Sequence, residues 1–197
     1  MLIVCQKNYW CNQSTYCCRC WECCIEIVSI IVLFFGLHIS YATDLTLNNT
    51  QTQVCFSPNG GCTENIVNQI EAAKSEILVQ AYSFTSAPIA KALVNAHKQG
   101  VKIEAILDKS QKSERYTAAT FVSTAGIPTY IDSKHAIAHN KIMIIDKETV
   151  ITGSFNFTKA AEEKNAENLL IIRNKDLAKV YMENWYKHKE HSESYER

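Results

Sequence analysis

The sequence alternates β-prone runs with helix-like segments, and this order restricts the fold more than any other feature. Three short β-prone runs are separated by two segments whose apolar residues recur at helical spacing. In chain order these five segments are residues 51–56, 63 to about 74, 77–82, 86–100 and 101–107. A β-α-β-α-β order is typical of layered α/β domains whose strands are largely parallel. With 47% hydrophobic residues, the chain is globular and not disordered.

The second half of the chain changes this pattern. A helix is predicted from Glu114 to Ala125, and β-prone runs follow at residues 128–131, 141–145, 149–152 and 167–172. Asp146-Lys147-Glu148 joins two of these runs as a hairpin turn, and Asn174 caps a last helix. We therefore predict an α/β fold with a mixed, largely parallel β-sheet flanked by helices, and a polar, frayed tail beyond His188.

The amino end has the character of a targeting segment. No residue from Ile27 to Thr43 is formally charged, and the most apolar part, residues 27–37, is shorter than the roughly 20 residues of a membrane span. Ser40-Tyr41-Ala42 places small residues where a signal peptidase reads the chain. We predict a signal peptide over residues 1–42 and a secreted or periplasmic catalytic domain over residues 43–197. The usual positive charge before the run is missing, so an uncleaved membrane anchor is the alternative.

The nine cysteines fall into two groups. Seven precede the apolar run, and their spacings form no paired C-x-x-C sites with a partner histidine, so they do not predict a zinc site. Cys55 and Cys62 follow the run on either side of a turn-rich segment. In an exported chain a disulfide between them is expected, and two reduced thiols are the alternative.

Polar residues with complementary chemistry surround the predicted hairpin. His139 and Lys141 are two residues apart at the start of a strand, so their side chains share a face. Gly153-Ser154-Phe155-Asn156 ends the next strand, where a hydroxyl and an amide are available. If the two strands are neighbours, an imidazole, an ammonium, a hydroxyl and an amide converge. This set suits a phosphate that carries negative charge.

The spacing of these residues resembles the signature of the phospholipase D superfamily: His-x-Lys, four residues, Asp, six residues, and Gly-Ser-x-Asn. The chain is most similar to the small exported phospholipase D proteins of intracellular bacteria and to plasmid-borne nonspecific endonucleases. The similarity extends from about Gln53 to the final helix and includes Gln80-Ala81-Tyr82-Ser83-Phe84-Thr85. It implies a phospholipase D-like α/β sandwich with one motif in each chain.

The resemblance also implies a mechanism. His139 attacks phosphorus to form a phosphohistidine, a second histidine protonates the leaving alcohol, and water completes the hydrolysis. Because this chain carries one motif where larger relatives carry two, the second histidine comes from a second chain, which implies an obligate homodimer with a composite active site.

The resemblance assigns roles to the other motif residues. Lys141 and Asn156 bind nonbridging phosphate oxygens, and Ser154 supports the phosphate or its loop. Glu167 accepts a hydrogen bond from the imidazole and sets its tautomer. Asp146 is included with the catalytic residues by its place in the motif, with the expected role of ordering the turn.

Other polar and aromatic residues receive simpler interpretations. Asp132 and His135 precede His139 and are candidate metal ligands, but the ammonium of Lys141 would repel a divalent cation there. A metal-free site without a cofactor is therefore predicted. We expect His97 and His188 to be solvated on helices, and Tyr181 and Trp185 to lie in the core.

Two substrates fit this chemistry. The first is a phosphatidylcholine-type phospholipid, hydrolysed to phosphatidic acid and head group in host or own membranes, with a role in virulence. The second is nucleic acid, cleaved without sequence preference. The chain has no net charge, with 20 basic and 20 acidic residues, so a polynucleotide would need a local basic rim. The candidates for this rim are Lys109, Lys112, Arg115, Lys134, Lys159 and Lys164. A binding module without turnover is disfavoured because the motif is intact.

Overall fold

A computed structural model describes residues 42–113 and 117–195 of the chain. The chain divides into two units, Met1–Asp44 and Leu45–Arg197, and every helix and strand given below lies in the second unit. The predicted leader lies outside the described residues except for Ala42. Within these residues, none of the helices has the length and hydropathy needed to cross a bilayer.

The fold is one open, eight-stranded β-sheet with helices on both faces. The strands are β1 (Gln51–Ser57), β2 (Glu76–Ala81), β3 (Lys102–Asp108), β4 (Thr129–Asp132), β5 (Lys141–Ile145), β6 (Thr149–Gly153), β7 (Glu167–Arg173) and β8 (Glu193–Ser194). The helices are α1 (Cys62–Glu71), α2 (Ala87–Lys98), α3 (Ala119–Thr124), α4 (Lys159–Glu163) and α5 (Lys175–Glu190), with a 3-10 turn at Lys109–Lys112. The strand order across the sheet is β1-β7-β6-β5-β2-β3-β4-β8.

The strand directions explain how the sheet is assembled. The mixed α/β class is confirmed, but parallel pairing is confined to β2 with β3 and β3 with β4, and the other five neighbouring pairs are antiparallel. The α2 and α3 crossovers produce the parallel pairs, as the alternation predicts. The sheet is less parallel than predicted because β1 pairs with β7 at the opposite edge, a short turn joins β5 to β6, and the longer connection through α4 also returns the chain antiparallel as β7.

Alternating side chains of the strands form a separate core on each face of the sheet. Ile77, Val79 and Met143 face the larger core, which contains α1, α2 and α3. Leu78 and Ile144 face the opposite way, toward Trp185 of α5. Trp185 is fully buried, and its indole N–H donates a 2.9 Å hydrogen bond to the Val79 carbonyl. As predicted, Trp185 is a core residue, and Asn174 caps α5 by accepting a hydrogen bond from the Leu177 N–H.

Three local predictions differ from the structure. The helix expected over 114–125 is the shorter α3, and residues 114–116 lie outside the described part. The short helix α4 was not predicted; Thr158 caps it, its side chain accepting a hydrogen bond from the Ala161 N–H. The tail expected to fray contains β8, which pairs with β4, and the Tyr195 N–H donates to the Thr129 carbonyl at 2.8 Å. A two-residue strand has no periodicity for a sequence pattern to detect.

The predicted disulfide is present. Cys55 of β1 and Cys62 of α1 are joined, and their Cα atoms are 5.7 Å apart. The bond links an edge strand to the first helix. It lies at the larger core, in which both cysteines are buried.

Asp146 anchors the turn between β5 and β6. Its carboxylate accepts hydrogen bonds from the Lys74, Ser75 and Glu76 N–H groups at 2.7–3.1 Å and from the Ser75 hydroxyl at 2.7 Å. Asp146 and Lys147 both have positive φ, 53° and 57°, as the two central residues of a type I′ turn require, and the Glu148 N–H donates to the Ile145 carbonyl at 3.0 Å. Burial opposes ionisation, but these hydrogen bonds hold the pKa of Asp146 below its ordinary value.

Replacing Asp146 should therefore weaken the fold. We expect Asp146→Asn, which tolerates positive φ, to lower the free energy of unfolding by about 1–2 kcal/mol, and Asp146→Ala to lower it by roughly 2–4 kcal/mol. Urea unfolding measures both. Since the folded pKa is depressed, the carboxylate stabilises the fold above its ordinary pKa of 3.8 and loses this effect as pH falls through the folded pKa. The difference in free energy of unfolding between the wild type and these variants should therefore become smaller in acid.

The matched control is Lys147→Asn, which keeps an Asn-compatible positive φ in the same turn. It removes a 3.8 Å ion pair between exposed Lys147 and Glu76, which is worth less than about 1 kcal/mol. Equal destabilisation by Lys147→Asn and Asp146→Asn would contradict the anchoring role.

Candidate active site

The motif residues meet at one edge of the sheet. Lys141 begins β5, Gly153 ends β6 and Glu167 begins β7, and these three strands are antiparallel neighbours. Lys141 also pairs with Ala81 at the carboxyl end of β2. Reversal of direction between neighbouring strands therefore brings residues from three separate sequence segments to the same edge.

His139 and Lys141 form the centre of the site. The Lys141 ammonium lies 3.0 Å from His139 Nδ1 and donates a 3.0 Å hydrogen bond to the His139 carbonyl. Tyr82 lies beside both residues: its ring centroid is 4.6 Å from that of His139 and 5.1 Å from Lys141 Nζ. His139 is exposed, whereas Lys141 is only 7% exposed. The site thus combines an accessible imidazole with a fixed, largely desolvated cation.

Burial and a nearby carboxylate act in opposite directions on the pKa of Lys141. Removal from water lowers the pKa of the ammonium below its ordinary value, and the negative charge of Glu167 partly opposes this shift. A cation that has already lost much of its hydration interacts strongly with an incoming anion.

Hydrogen bonds to main-chain groups fix the chain on both sides of His139. Asp108, which ends β3 and is buried, accepts a 2.7 Å hydrogen bond from the Ala138 N–H. On the other side of His139, the Asn140 carbonyl accepts a 2.8 Å hydrogen bond from the Tyr82 N–H. Asp108 was not predicted as a site residue, because a single aspartate at a strand end carries no motif that distinguishes it from a surface group.

The segment after β6 is shaped by Gly153 and Asn168. Gly153 has φ of 145°, and a Cβ atom there would lie 2.3 Å from the Asn168 carbonyl oxygen. That oxygen accepts hydrogen bonds from the Ser154 and Phe155 N–H groups at 3.1 and 3.2 Å. The Ser154 hydroxyl oxygen in turn accepts a 3.0 Å hydrogen bond from the Asn168 N–H. Sequence reasoning missed Asn168, whose main chain holds Ser154 in place.

Asn156 is held between two aromatic anchors. Phe155 and Phe157 are fully buried, which fixes the backbone on both sides of it. The Asn156 side-chain oxygen is itself buried and makes no hydrogen bond within the described part of the chain. A buried acceptor without an internal partner calls for a donor from outside the chain, such as a water or a ligand.

Glu167 differs from its expected place, whereas Asp146 has the expected role of ordering the turn. Among the described residues, Glu167 accepts a 3.1 Å hydrogen bond from the Asn165 amide and makes none with His139, whose Nδ1 is next to Lys141. Asp146 follows the far end of β5, roughly 17 Å from Lys141 at about 3.3 Å per residue. This distance corrects its inclusion among the catalytic residues, because the side chain anchors the turn and cannot reach the imidazole.

Asp132 and His135 associate with the carboxyl-terminal helix and not with His139. Asp132 contacts His135, His188 and His191 at 2.7–3.3 Å. Burial would raise the pKa of Asp132, but hydrogen bonds from His188 and His135 hold it well below its ordinary value. The expectation that His188 is solvated is wrong, since its side chain is only 16% exposed. A helix pattern alone does not reveal that a buried carboxylate faces that position.

The geometry at Gly153 leads to a prediction. Gly153→Ala should lower the free energy of unfolding by about 2–4 kcal/mol, because it adds both a strained φ and a clash with the Asn168 backbone. Gly61→Ala is the control, since Gly61 has φ of 75° but open space around its Cβ position, and should cost only about 1 kcal/mol. Urea unfolding measures both, and amide hydrogen exchange should show lost protection at Ser154 and Phe155. Equal costs for the two variants would contradict the clash.

Comparison with known proteins agrees with this geometry. The family model described as cardiolipin synthase, PLD-like domain, matches residues 66–188. The chain is 43% identical to phospholipase D of Rickettsia conorii over 154 residues, which is 78% of this chain and 77% of the relative. It is 26% identical over 130 residues to human mitochondrial cardiolipin hydrolase, covering 66% of this chain and 52% of that protein.

Solved structures show the same fold. Nuc from Salmonella typhimurium, described as a phospholipase D family member, superimposes with a TM-score of 0.73 at 39% identity, covering 76% of this chain and all (100%) of Nuc. NucT from Helicobacter pylori gives a TM-score of 0.70 at 21% identity, covering 75% of this chain and 100% of NucT, a likeness of fold alone. The chain therefore belongs to the phospholipase D family of phosphodiester hydrolases.

Proposed function

We propose that this protein is a phospholipase D that hydrolyses phosphatidylcholine-type phospholipids through a phosphohistidine intermediate. The observation that carries the chemistry is the exposed His139 imidazole, 3.0 Å from the buried Lys141 ammonium. This arrangement supplies a nucleophile beside a fixed positive charge. The 43% identity to a Rickettsia protein named phospholipase D supports the lipid substrate.

The position of Lys141 bears on the imidazole tautomer. An ammonium that donates to Nδ1 leaves the proton of a neutral imidazole on Nε2, which suits an acid and not a nucleophile. We infer that a bound phosphate draws Lys141 onto its nonbridging oxygens. Nδ1 can then carry the proton and donate a hydrogen bond to Glu167, the carboxylate whose charge already acts on the pKa of Lys141. Nε2 is thereby free to attack, and the Asn156 amide, with Ser154 beside it, holds the phosphate.

In the proposed first step, Nε2 of His139 forms a bond to phosphorus as the bond to the head-group oxygen breaks. A second imidazolium gives its proton to that oxygen, which leaves as the alcohol. In the second step this imidazole takes a proton from water, whose oxygen attacks phosphorus and releases Nε2. The products are phosphatidic acid and free head group.

The second imidazole is proposed to be His139 of a second copy of the chain. The motif occurs once in the sequence, and a two-fold axis is the symmetry that brings one residue to face itself. Ile137, two residues before His139, is 57% exposed. An exposed apolar side chain beside the nucleophile suits either a partner chain or an acyl chain.

Nucleic acid is the alternative substrate. Exposed Lys112, Lys134 and Lys164 lie in segments that leave the same sheet edge, which favours this reading. Other members of the basic rim are engaged: Lys159 lies 3.4 Å from Glu163, and Lys109 donates to the His135 carbonyl at 3.2 Å. Arg115 lies outside the described residues. With no net charge on the chain, the lipid reading is the stronger one.

Export to the periplasm or beyond is part of the proposal. The disulfide between Cys55 and Cys62 supports it, since structural disulfides persist in oxidising compartments. The uncharged run before Thr43 supplies the export signal, with cleavage after Ala42 or retention as an anchor. In this compartment the enzyme would reach the membranes of a host or of its own cell. Hydrolysis of host phospholipids would give it a role in virulence.

The composite site predicts a dominant effect of His139→Asn. The variant should lose activity by about 10⁴-fold or more. Heterodimers of wild-type and variant chains, isolated through two different tags, should be nearly as inactive, because their shared site has one histidine where two are needed. Wild-type chains carrying the same two tags are the control. Half of the wild-type activity in the mixed dimer, or an active monomer in sedimentation, would contradict the composite site.

The substrate is tested with two assays on the purified protein. Phosphatidylcholine vesicles should release choline, while supercoiled DNA should remain intact. Both assays include a chelator and are run well below the melting temperature, because a phosphohistidine mechanism needs no metal. Circular dichroism of the same samples separates loss of catalysis from loss of fold. DNA nicking without choline release would replace the lipase proposal by the nuclease.

A further inference from the structure

A cluster of three histidines and one aspartate lies apart from the catalytic residues. Asp132 ends β4, His135 lies three residues later, and His188 and His191 stand at the carboxyl end of α5. One nitrogen from each histidine and one oxygen from Asp132 all lie within 4.8 Å of one another. The strand that carries Asp132 is three strands away from β5, or about 14 Å along the sheet. The cluster is therefore separate from the phosphate site.

We propose that Asp132, His135, His188 and His191 form a structural zinc site. Three imidazole nitrogens and one carboxylate oxygen are a four-coordinate ligand set that zinc accepts. A tetrahedral zinc with bonds of about 2.0–2.2 Å separates its ligand atoms by roughly 3.3 Å. The nitrogens of the three histidines lie 3.0, 2.7 and 3.3 Å from the Asp132 carboxylate, so small shifts would admit the ion.

The arrangement of ligands along the chain also fits a structural metal. The four residues form two short pairs, Asp132-x-x-His135 and His188-x-x-His191, on segments far apart in sequence. Structural zinc sites commonly take closely spaced ligand pairs from two separate segments. All four coordination positions are filled by protein groups, so no position remains for a reacting water. The ion would stabilise the fold and take no part in catalysis.

The three imidazole rings of the cluster are close enough to share one ion. The rings of His135, His188 and His191 are 4.9–5.3 Å apart, centroid to centroid. Three imidazolium cations at this spacing would repel each other around a single carboxylate. Neutral imidazoles avoid that repulsion and offer lone pairs. His191 Nε2 is buried and, among residues 42–113 and 117–195, makes no hydrogen bond although it lies 3.3 Å from Asp132, as a nitrogen positioned for a metal would.

The site would connect the last helix to the loop between β4 and β5. His135 lies in the β4–β5 loop that leads to His139, and its carbonyl accepts a hydrogen bond from Lys109. His188 and His191 belong to the end of α5, just before β8 pairs with β4. A metal held by all four residues would fasten the last helix to the loop that carries the nucleophile. This inference does not depend on the substrate proposed above.

The test is zinc binding by the full chain carrying His139→Asn, so that the readout is independent of activity. After removal of metal with a chelator and titration with zinc, this protein should bind one more equivalent than the same protein with His188→Ala and His191→Ala. Because the leader cysteines are potential thiolate ligands, the difference between the proteins is the measured quantity. Zinc at a hundredfold excess over its dissociation constant should raise the melting temperature by roughly 5–10 °C in the first protein alone.

A second variant guards against misfolding of the first. His135→Ala removes a ligand whose side chain is 44% exposed, so the fold should survive, and zinc affinity should still fall at least about tenfold. His97→Ala, outside the cluster, should leave the stoichiometry unchanged. Cobalt(II) in the site should show tetrahedral d–d absorption that the ligand variants lack. Equal zinc stoichiometry and equal thermal shifts in parent and ligand variants would overturn the proposal.

Discussion

The register of β5 between β2 and β6 is the constraint on which the active site depends. All five residues of β5 are buried, so its two faces contribute to two different cores. A slip of one residue would exchange the faces and turn Lys141 away from His139 and Tyr82. Asp146 opposes such a slip at the far end of the strand, where it accepts hydrogen bonds from residues 74–76. Asp146, at the far end of β5 from His139, thus helps to position Lys141 beside His139.

The electrostatics of the site follow from that placement. Lys141 is buried at the sheet edge with Tyr82 and His139 around it, and burial lowers its pKa while Glu167 opposes the shift. Contacts with the His139 carbonyl and the Tyr82 ring offset the free energy that is lost when the Lys141 ammonium is buried. The His139 side chain remains exposed to solvent. A phosphodiester would complete the coordination of this cation, and removal of competing water makes the attraction stronger than it is in bulk solvent.

The loop between β4 and β5 connects the chemistry with the carboxyl-terminal part of the chain. Asp108 holds it through the Ala138 N–H, and Asp132 contacts His135 within it. His188 and His191 approach the same carboxylate from α5. The placement of His139 therefore depends in part on Asp108, His188 and His191, which are far from it in sequence. A metal at the histidine cluster would strengthen this link.

Much of the structure follows from local pattern. The strands from β1 to β7, the helices α1, α2 and α5, and the hairpin at Asp146 are visible in periodicity and turn chemistry, because each depends on neighbouring residues. The motif spacing likewise predicts His139, Lys141 and Asn156 as site residues, because the motif is defined by distances along the chain. The pairing of Cys55 with Cys62 depends on a short turn between them, so it could also be predicted from the sequence.

Tertiary structure decided what depends on contacts between distant segments. β1 pairs with β7 and does not lie beside β2. Most neighbouring strands in the sheet are therefore antiparallel. Asp108 and Asn168 support the site through hydrogen bonds to main-chain groups that no motif specifies. His188 is buried against Asp132, a partner 56 residues away, although its helix position suggests solvent. The sequence by itself determined the chemistry of the site, and long-range packing determined what surrounds and supports it, because burial and hydrogen-bond partners are properties of the folded chain.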